Sequence, residues 1–468
     1  MRKKKDAQGW LEFQPSNLKL TNDYYARYEA ISKILDETPQ LLELVHRDLE
    51  ASLEEENRES ERQGGFVYTS EMVLRLVLCQ ILEGASLRGI VVRVDVSHCL
   101  RRFTRIHGGP MMSHTALCRL RNSILPETWK AMNQALARSA AKQESITGEK
   151  LRFDTTAVET NIHWPTDSSL LWDCYRTSAR LIEETRDICP KAVGDRRVHL
   201  KRAKRLATRI ARKAQHKGLK AKDLKPIYKR LIASVEGICD WAEQVAERLE
   251  RKLRGARTPA LADEMERLLE RFRHFDPLIS HVIWQATERV LHGRQVPNED
   301  KLFSIFEEHT ELLKRGKAGK DVEFGHMIQI QQTGEKFITD YEVFDQKPSE
   351  PTLILPALKS HKKLFGCFPV TMAGDKGYWS GEEFEKIPEE VEVVAIPKKG
   401  RRNHSERERE LDPLFRLAQA FRAGVEGSIS FLKRVLQLAR CMNKGWQNYA
   451  STVGATVVAH NLLILARC

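Results

Sequence analysis

GEKLRFDTTAVETNIHWP, residues 148–165, marks the point where the character of the chain changes. Leu151, Phe153, Thr155 and Ala157 fall on alternate positions, β-branched residues are frequent, and Pro165 ends the run. Period-two alternation of this kind predicts a strand. What precedes it reads as helix. In SEMVLRLVLCQILEGASLRGIVVRV, Met72, Leu76, Leu78, Ile81 and Leu82 recur at helical spacing; Gly84 closes that helix and Ser86 caps the next. Further helices begin at Ser113 and after Pro126. Residues 66–145 are therefore expected to form a helical domain with helix-turn-helix-like punctuation. The preceding 65 residues are polar and end in EEENRESERQGG, which reads as an arm and a linker.

On the carboxyl side, residues 168–315 are helical in pattern and highly charged, with a helical hairpin expected to turn near residues 257–259. Strand character returns after Gly316. VEFGHMIQIQQTGEKFITDYEVF predicts a hairpin turning at Thr333-Gly334. A helix over about 350–365 follows, then a strand ending in the turn of TMAGDKGYWS, and a strand in VEVVAIPKK. One long helix is expected over about 412–439, and an apolar helix in the last residues. With the helical stretch set aside, the order predicts an α/β domain, a mixed sheet covered by helices. The expected divisions are 1–65, 66–145, a catalytic domain of 146–167 with 316–440, a helical insertion of 168–315, and 441–468.

The chain has 468 residues and carries 77 Lys and Arg against 64 Asp and Glu, a net charge of +13. The excess is concentrated: Arg176–Arg230 alone holds 19 basic and 5 acidic residues. Within it Val198, Leu200, Ala203, Leu206, Ile210 and Ala211 form an apolar stripe between cations of one sign. Lys201, Arg202, Lys204, Arg205, Arg209 and Arg212 are the candidates for phosphate contact, and a solvated helix face is the alternative. In the amino-terminal helices Arg88, Arg93, Arg101, Arg102, Arg105, Arg119 and Arg121 could reach base edges, Arg119 and Arg121 foremost. Nine scattered cysteines without a C-x-x-C pair argue against a zinc module and fit a reducing cytoplasm. No apolar run approaches the ~18 residues that a membrane span needs.

Three acids stand out. Asp154 lies within the first strand. Asp375 follows another strand, where ligands of α/β sheets gather. Glu426 sits on the long helix among Ala423, Gly424 and Gly427, small enough to bring that helix close to a sheet. Carboxylates on adjacent elements repel unless a hard cation joins them. Glu159, Asp167, Asp340 and Asp345 are weaker candidates, with turn or supporting roles.

These segments resemble DDE transposases of bacterial insertion sequences, in particular insertion-sequence groups four and five and the "not classified yet" group ISNCY. RFDTTAVETNIHWPTDSSLL resembles the first-Asp segment and AGDKGYWS the second. FRAGVEGSISFLKR matches the catalytic helix, with Arg422, Glu426 and Lys433 at the motif's spacing. HTALCRLRNSI resembles the family's amino-terminal helical domain. The motif's Tyr, three residues before the Arg, is Gln419 here; this departure bears on that residue's phosphate contact and not on the three carboxylates. The resemblance implies a ribonuclease H-like fold, with Asp154, Asp375 and Glu426 holding two Mg²⁺ or Mn²⁺ ions. Water would attack at the transposon end, and the freed 3′-OH would attack target DNA. Arg422 and Lys433 would face the end's phosphates. The implied partners are terminal inverted repeats, target DNA and other copies of the chain. Two alternatives stand beside this reading: a related nuclease that cuts without strand transfer, and a DNA-binding protein without catalysis.

Overall fold

The computed structural model describes residues 17–56, 68–107, 109–215, 223–256, 258–317 and 320–467. Among these residues seven helices precede the first strand: α1 (Lys19–Glu37), α2 (Pro39–Glu56), α3 (Ser70–Leu82), α4 (Leu87–Val96), α5 (His98–Phe103), α6 (His114–Asn122) and α7 (Pro126–Lys142). Hydroxyl caps start α3, α4, α5 and α6: Thr69, Ser86, Ser97 and Ser113 each accept from a backbone N–H of the first turn. Strand β1 (Lys150–Glu159) follows. After it come α8 (Asp167–Ile188), α9 (Pro190–Val193), α10 (Leu200–Ala214), α11 (Lys225–Leu253) and α12 (Pro259–Ala286). Then come β2 (Glu311–Lys317), β3 (Lys320–Gln332), β4 (Ile338–Val343), α13 (Ile354–Phe365), β5 (Thr371–Ala373), α14 (Gly381–Phe384), β6 (Val393–Ala395), α15 (His404–Leu411), α16 (Pro413–Arg434) and α17 (Trp446–Leu465).

The chain divides into two compact units, 1–161 with 313–468, and 162–312. In the first, six strands among the described residues make one mixed sheet in the order β2-β3-β1-β5-β6, with β4 also paired to β3. β3 runs antiparallel to β1 and to β4, whereas β5 is parallel to both β1 and β6. This is an α/β fold. Alternation along β1 sends its side chains to two layers. Leu151 and Phe153 join Ile354, Leu358 and Tyr378 on one face. On the other, Arg152 donates to Phe421 O of α16 and Asp154 pairs with Arg422 of α16.

α16 begins at Asp412, whose carboxylate accepts from Leu414 N and Phe415 N, with Pro413 in the first turn. It packs Phe415 and Ala418 on Ala373 and Ala395. It ends at Arg434, short of the expected 439, and the chain then turns through Gln437 at a positive φ of 59°. The outer edge of β4 is closed by side chains. Asn461 Oδ1 accepts from Ile338 N at 2.9 Å. Asn133 Nδ2 donates to Ile338 O and Thr339 O, both at 3.2 Å, and Lys130 Nζ donates to Tyr341 O.

The amino-terminal segment differs from the expected arm. Tyr28, Ile31 and Leu35 of α1 and Leu41, Val45 and Leu49 of α2 are buried in one core with α3, α7, the β3–β4 hairpin and α17. The amino-terminal helices and the last helix therefore fall in the same compact unit as the sheet. The segment 57–65, read as a linker, lies outside the described residues.

The described residues of the second unit are built on helices α8 to α12. Thr166 and Ser169 form a reciprocal capping box at the start of α8. Leu171, Ile182, Leu231, Val235, Leu249, Leu268 and Val282 build its core, so the apolar stripes of α11 and α12 are buried inside the unit. In α10, Ala203, Leu206 and Ile210 are buried as the stripe predicts, but Leu200 and Ala211 are exposed. No described helix is long and apolar enough to cross a membrane, and no disulfide joins the described cysteines.

Candidate active site

β1, the turn after β5 and α16 bring Asp154, Asp375 and Glu426 to one cleft of about 950 Å³. Arg422 and Lys433 line it too, as do Lys314, Lys347, Lys376, Arg402 and Arg434, which sequence reasoning had not singled out. Cations thus surround the acids, the balance a polyanion would meet.

Arg422 organises the centre. Its Nη2 donates to Asp154 Oδ2 at 2.9 Å and its Nη1 to Glu426 Oε1 at 2.8 Å. Asp154 also accepts from Thr155 N at 2.8 Å. Burial pushes the Asp154 carboxyl up to about 6, with Arg422 pulling the other way and the nearby Asp375 and Glu350 adding to the rise. Glu426 is far more open, its side chain 63% exposed against 12% for Asp154.

Glu350 is the acid that sequence reasoning missed. It accepts from Thr155 Oγ1 at 2.6 Å. A Cβ on Gly377 would lie 1.9 Å from Glu350 Oε2 and 2.9 Å from Asp375 Oδ1, so the two carboxylates meet over that bare glycine. Asp375 Oδ1 accepts from Gly377 N at 2.7 Å.

The helix is seated by polar contacts. A Cβ at Gly424 would meet Arg152 Nη1 at 2.1 Å; that guanidinium is buried and held by Gln332 Oε1 at 2.9 and 2.6 Å. Gly427, the other glycine, has open space in place of a side chain. Gln419, at the position of the motif's Tyr, donates its amide to Gly374 O at 3.1 Å and to Ala395 O, tying α16 to the ends of β5 and β6.

The weaker candidates have structural partners. Glu159 pairs with Arg440 and Asp340 with Lys130, while Asp345 caps the following backbone N–H. In the second unit Asp167 pairs with Arg289. Of the amino-terminal arginines, Arg121 is buried, donating to Gln80 and Thr452, and so does not reach outward as expected. Arg93, Arg101, Arg102 and Arg105 are each engaged with an acid of the same unit. Arg88 and Arg119 lie exposed.

In the second unit, Lys201, Arg202, Lys204, Arg205, Arg209 and Arg212 of α10 are all exposed. Most of them, with Thr208 and Lys213, line a shallow groove of about 500 Å³.

As the side chains stand, no group of three or more His, Cys, Asp or Glu among the described residues is placed to hold a metal ion. Asp154 and Glu426 are joined through Arg422, while Asp375 and Glu350 both lie beside Gly377. Compared with known proteins, the chain matches no family model, no curated protein and no solved structure.

Proposed function

We propose that the chain is a DDE transposase of an insertion sequence, cutting at transposon ends and joining them to target DNA. The observation that carries the reading is that three acids from segments far apart in sequence line one cation-rich cleft. The sheet supports it as well: a central β1, with an antiparallel hairpin on one side and two parallel strands on the other, resembles the order of elements expected of a ribonuclease H-like domain.

The residues fit a pair of hard divalent cations by the chemistry of their donors, which are carboxylate oxygens only. Arg422 already acts as a stand-in, one cationic group spanning Asp154 and Glu426. Asp154, Asp375 and Glu426 would hold Mg²⁺ or Mn²⁺, which when bound stabilises charge on the attacking and leaving oxygens of an in-line displacement. The chain's own part is positioning. Gln419 fixes Asp375's turn against the helix that carries Glu426. Lys433 and Arg434 line the cleft as counter-charges for the phosphates, and Arg422 offers a fork that matches two phosphate oxygens. The exposed cations of α10 would add sequence-independent affinity for the DNA backbone.

The test uses a plasmid carrying the coding sequence with its flanking DNA, incubated with the protein and Mg²⁺. Wild type should nick at the flanks and join those ends to a second plasmid. Asp154→Asn, Asp375→Asn and Glu426→Gln should each lose cleavage by about a thousandfold or more, while DNA retention in a gel run without divalent metal stays within a few-fold. Cleavage retained by Asp375→Asn would overturn the assignment. Cleavage without joining would instead make the site that of a nuclease.

A further inference from the structure

Arg422 stands where the proposed reading needs a metal ion. One guanidinium spans a carboxylate of β1 and a carboxylate of α16, at 2.9 and 2.8 Å. A dication cannot share those two acids with it without strong like-charge repulsion at such short range. The arrangement also leaves something unsatisfied: Arg422 Nε is buried with no hydrogen-bond partner. A phosphate offers the planar fork paired oxygens, so a guanidinium with a stranded donor gains by turning to it. Arg422 already lines the cleft beside Lys433 and Arg434, which would draw a phosphate in.

We propose that Arg422 gates metal loading. It holds Asp154 and Glu426 until a nucleic-acid phosphate takes its guanidinium, so that DNA and divalent metal bind cooperatively. The gate rests on the metal-dependent reading of the site. It accounts for the described acids not standing as one ion-holding group. Because the coupling is thermodynamic it is reciprocal: metal must strengthen DNA binding by the factor by which DNA strengthens metal binding.

The experiment is a titration of the full-length protein with Mn²⁺, followed by calorimetry, with and without a short random-sequence duplex. Wild type should bind Mn²⁺ roughly ten- to a hundredfold more tightly with duplex present, the span expected for releasing hydrogen bonds between charged groups. Arg422→Ala, and Arg422→Gln as a second neutral variant, should bind tightly without DNA and gain little from it. Lys347→Ala removes a cation of the same cleft that is not part of the bridge, and should change affinity by only about two- to threefold. The gate is overturned if the Arg422 variants bind Mn²⁺ no more tightly than wild type. It is overturned equally if Lys347→Ala matches them, because the effect would then be a general field. If neither wild type nor the Arg422 variants bind Mn²⁺ in any condition, the metal-dependent reading itself falls.

Discussion

Asp154 carries a cost that its neighbours only partly offset. Its carboxyl is lifted from 3.8 to about 6 by burial, net of the attraction of Arg422. The folded chain therefore holds this proton more tightly than the unfolded chain does. The stability gained from that proton is complete below about pH 4 and is lost as pH rises through 6. At pH 7.5 Asp154 is charged in a buried place, and Asp154→Asn should stabilise the protein by about 1–3 kcal/mol in urea unfolding. The advantage of the variant should shrink steadily as pH is lowered from 7 to 4. A pH-independent difference would mean that the carboxylate bears no such burden. The sequence announced Asp154 because an acid inside an apolar strand is conspicuous. It could not announce Glu350, whose hydrogen-bond partner Thr155 lies far away along the chain. Nor could it separate Arg121, buried against Gln80 and Thr452, from Arg119, two residues away and exposed. A charge count registers a guanidinium without registering which way it faces.

At the scale of the element, α16 shows two glycines with opposite meanings. Gly424 leaves room for Arg152, whose guanidinium is fixed by Gln332 and Phe421 O. Gly424→Ala should push the helix off the sheet or break that network, lowering stability by about 1–3 kcal/mol and reducing cleavage with it. Gly427 faces open space, and Gly427→Ala should raise stability by about 0.5–1 kcal/mol through helix propensity alone. Equal effects in thermal melts would refute this account of how the helix is seated. The helix was legible in its periodicity and its Asp-Pro start. Its end was not, because residues 435–439 continue the apolar pattern while tertiary contacts turn the chain. Elsewhere, α1 and α2 carry their buried residues at three- and four-residue steps, but the surrounding charge made them read as an arm. The strands and the β3–β4 hairpin were legible because alternation and turn residues are local signals. The joining of the first and last helices was not: it depends on fits such as Gly454 against Trp129, separated by most of the chain.

At the scale of the whole molecule, charge is placed unevenly between the two units. α10 turns its apolar stripe inward and its six candidate cations outward. Replacing Lys201, Arg202, Lys204, Arg205, Arg209 and Arg212 together by Gln should flatten the dependence of log K for DNA on log salt. Each phosphate no longer neutralised removes about 0.9 from the slope, so the change should amount to several units. Random and specific duplexes should weaken alike, and unfolding should hardly move. A slope equal to wild type would leave α10 a solvated face. The closed edge of β4 carries a different consequence. Asn133, Asn461 and Lys130 occupy the backbone groups that another strand would need, and at the opposite border β6 is only three residues long. The β4 stretch therefore offers no template for adding a foreign strand, and the shortness of β6 limits what could pair at the other border. Copies of this chain that gather do not do so by strand addition at β4.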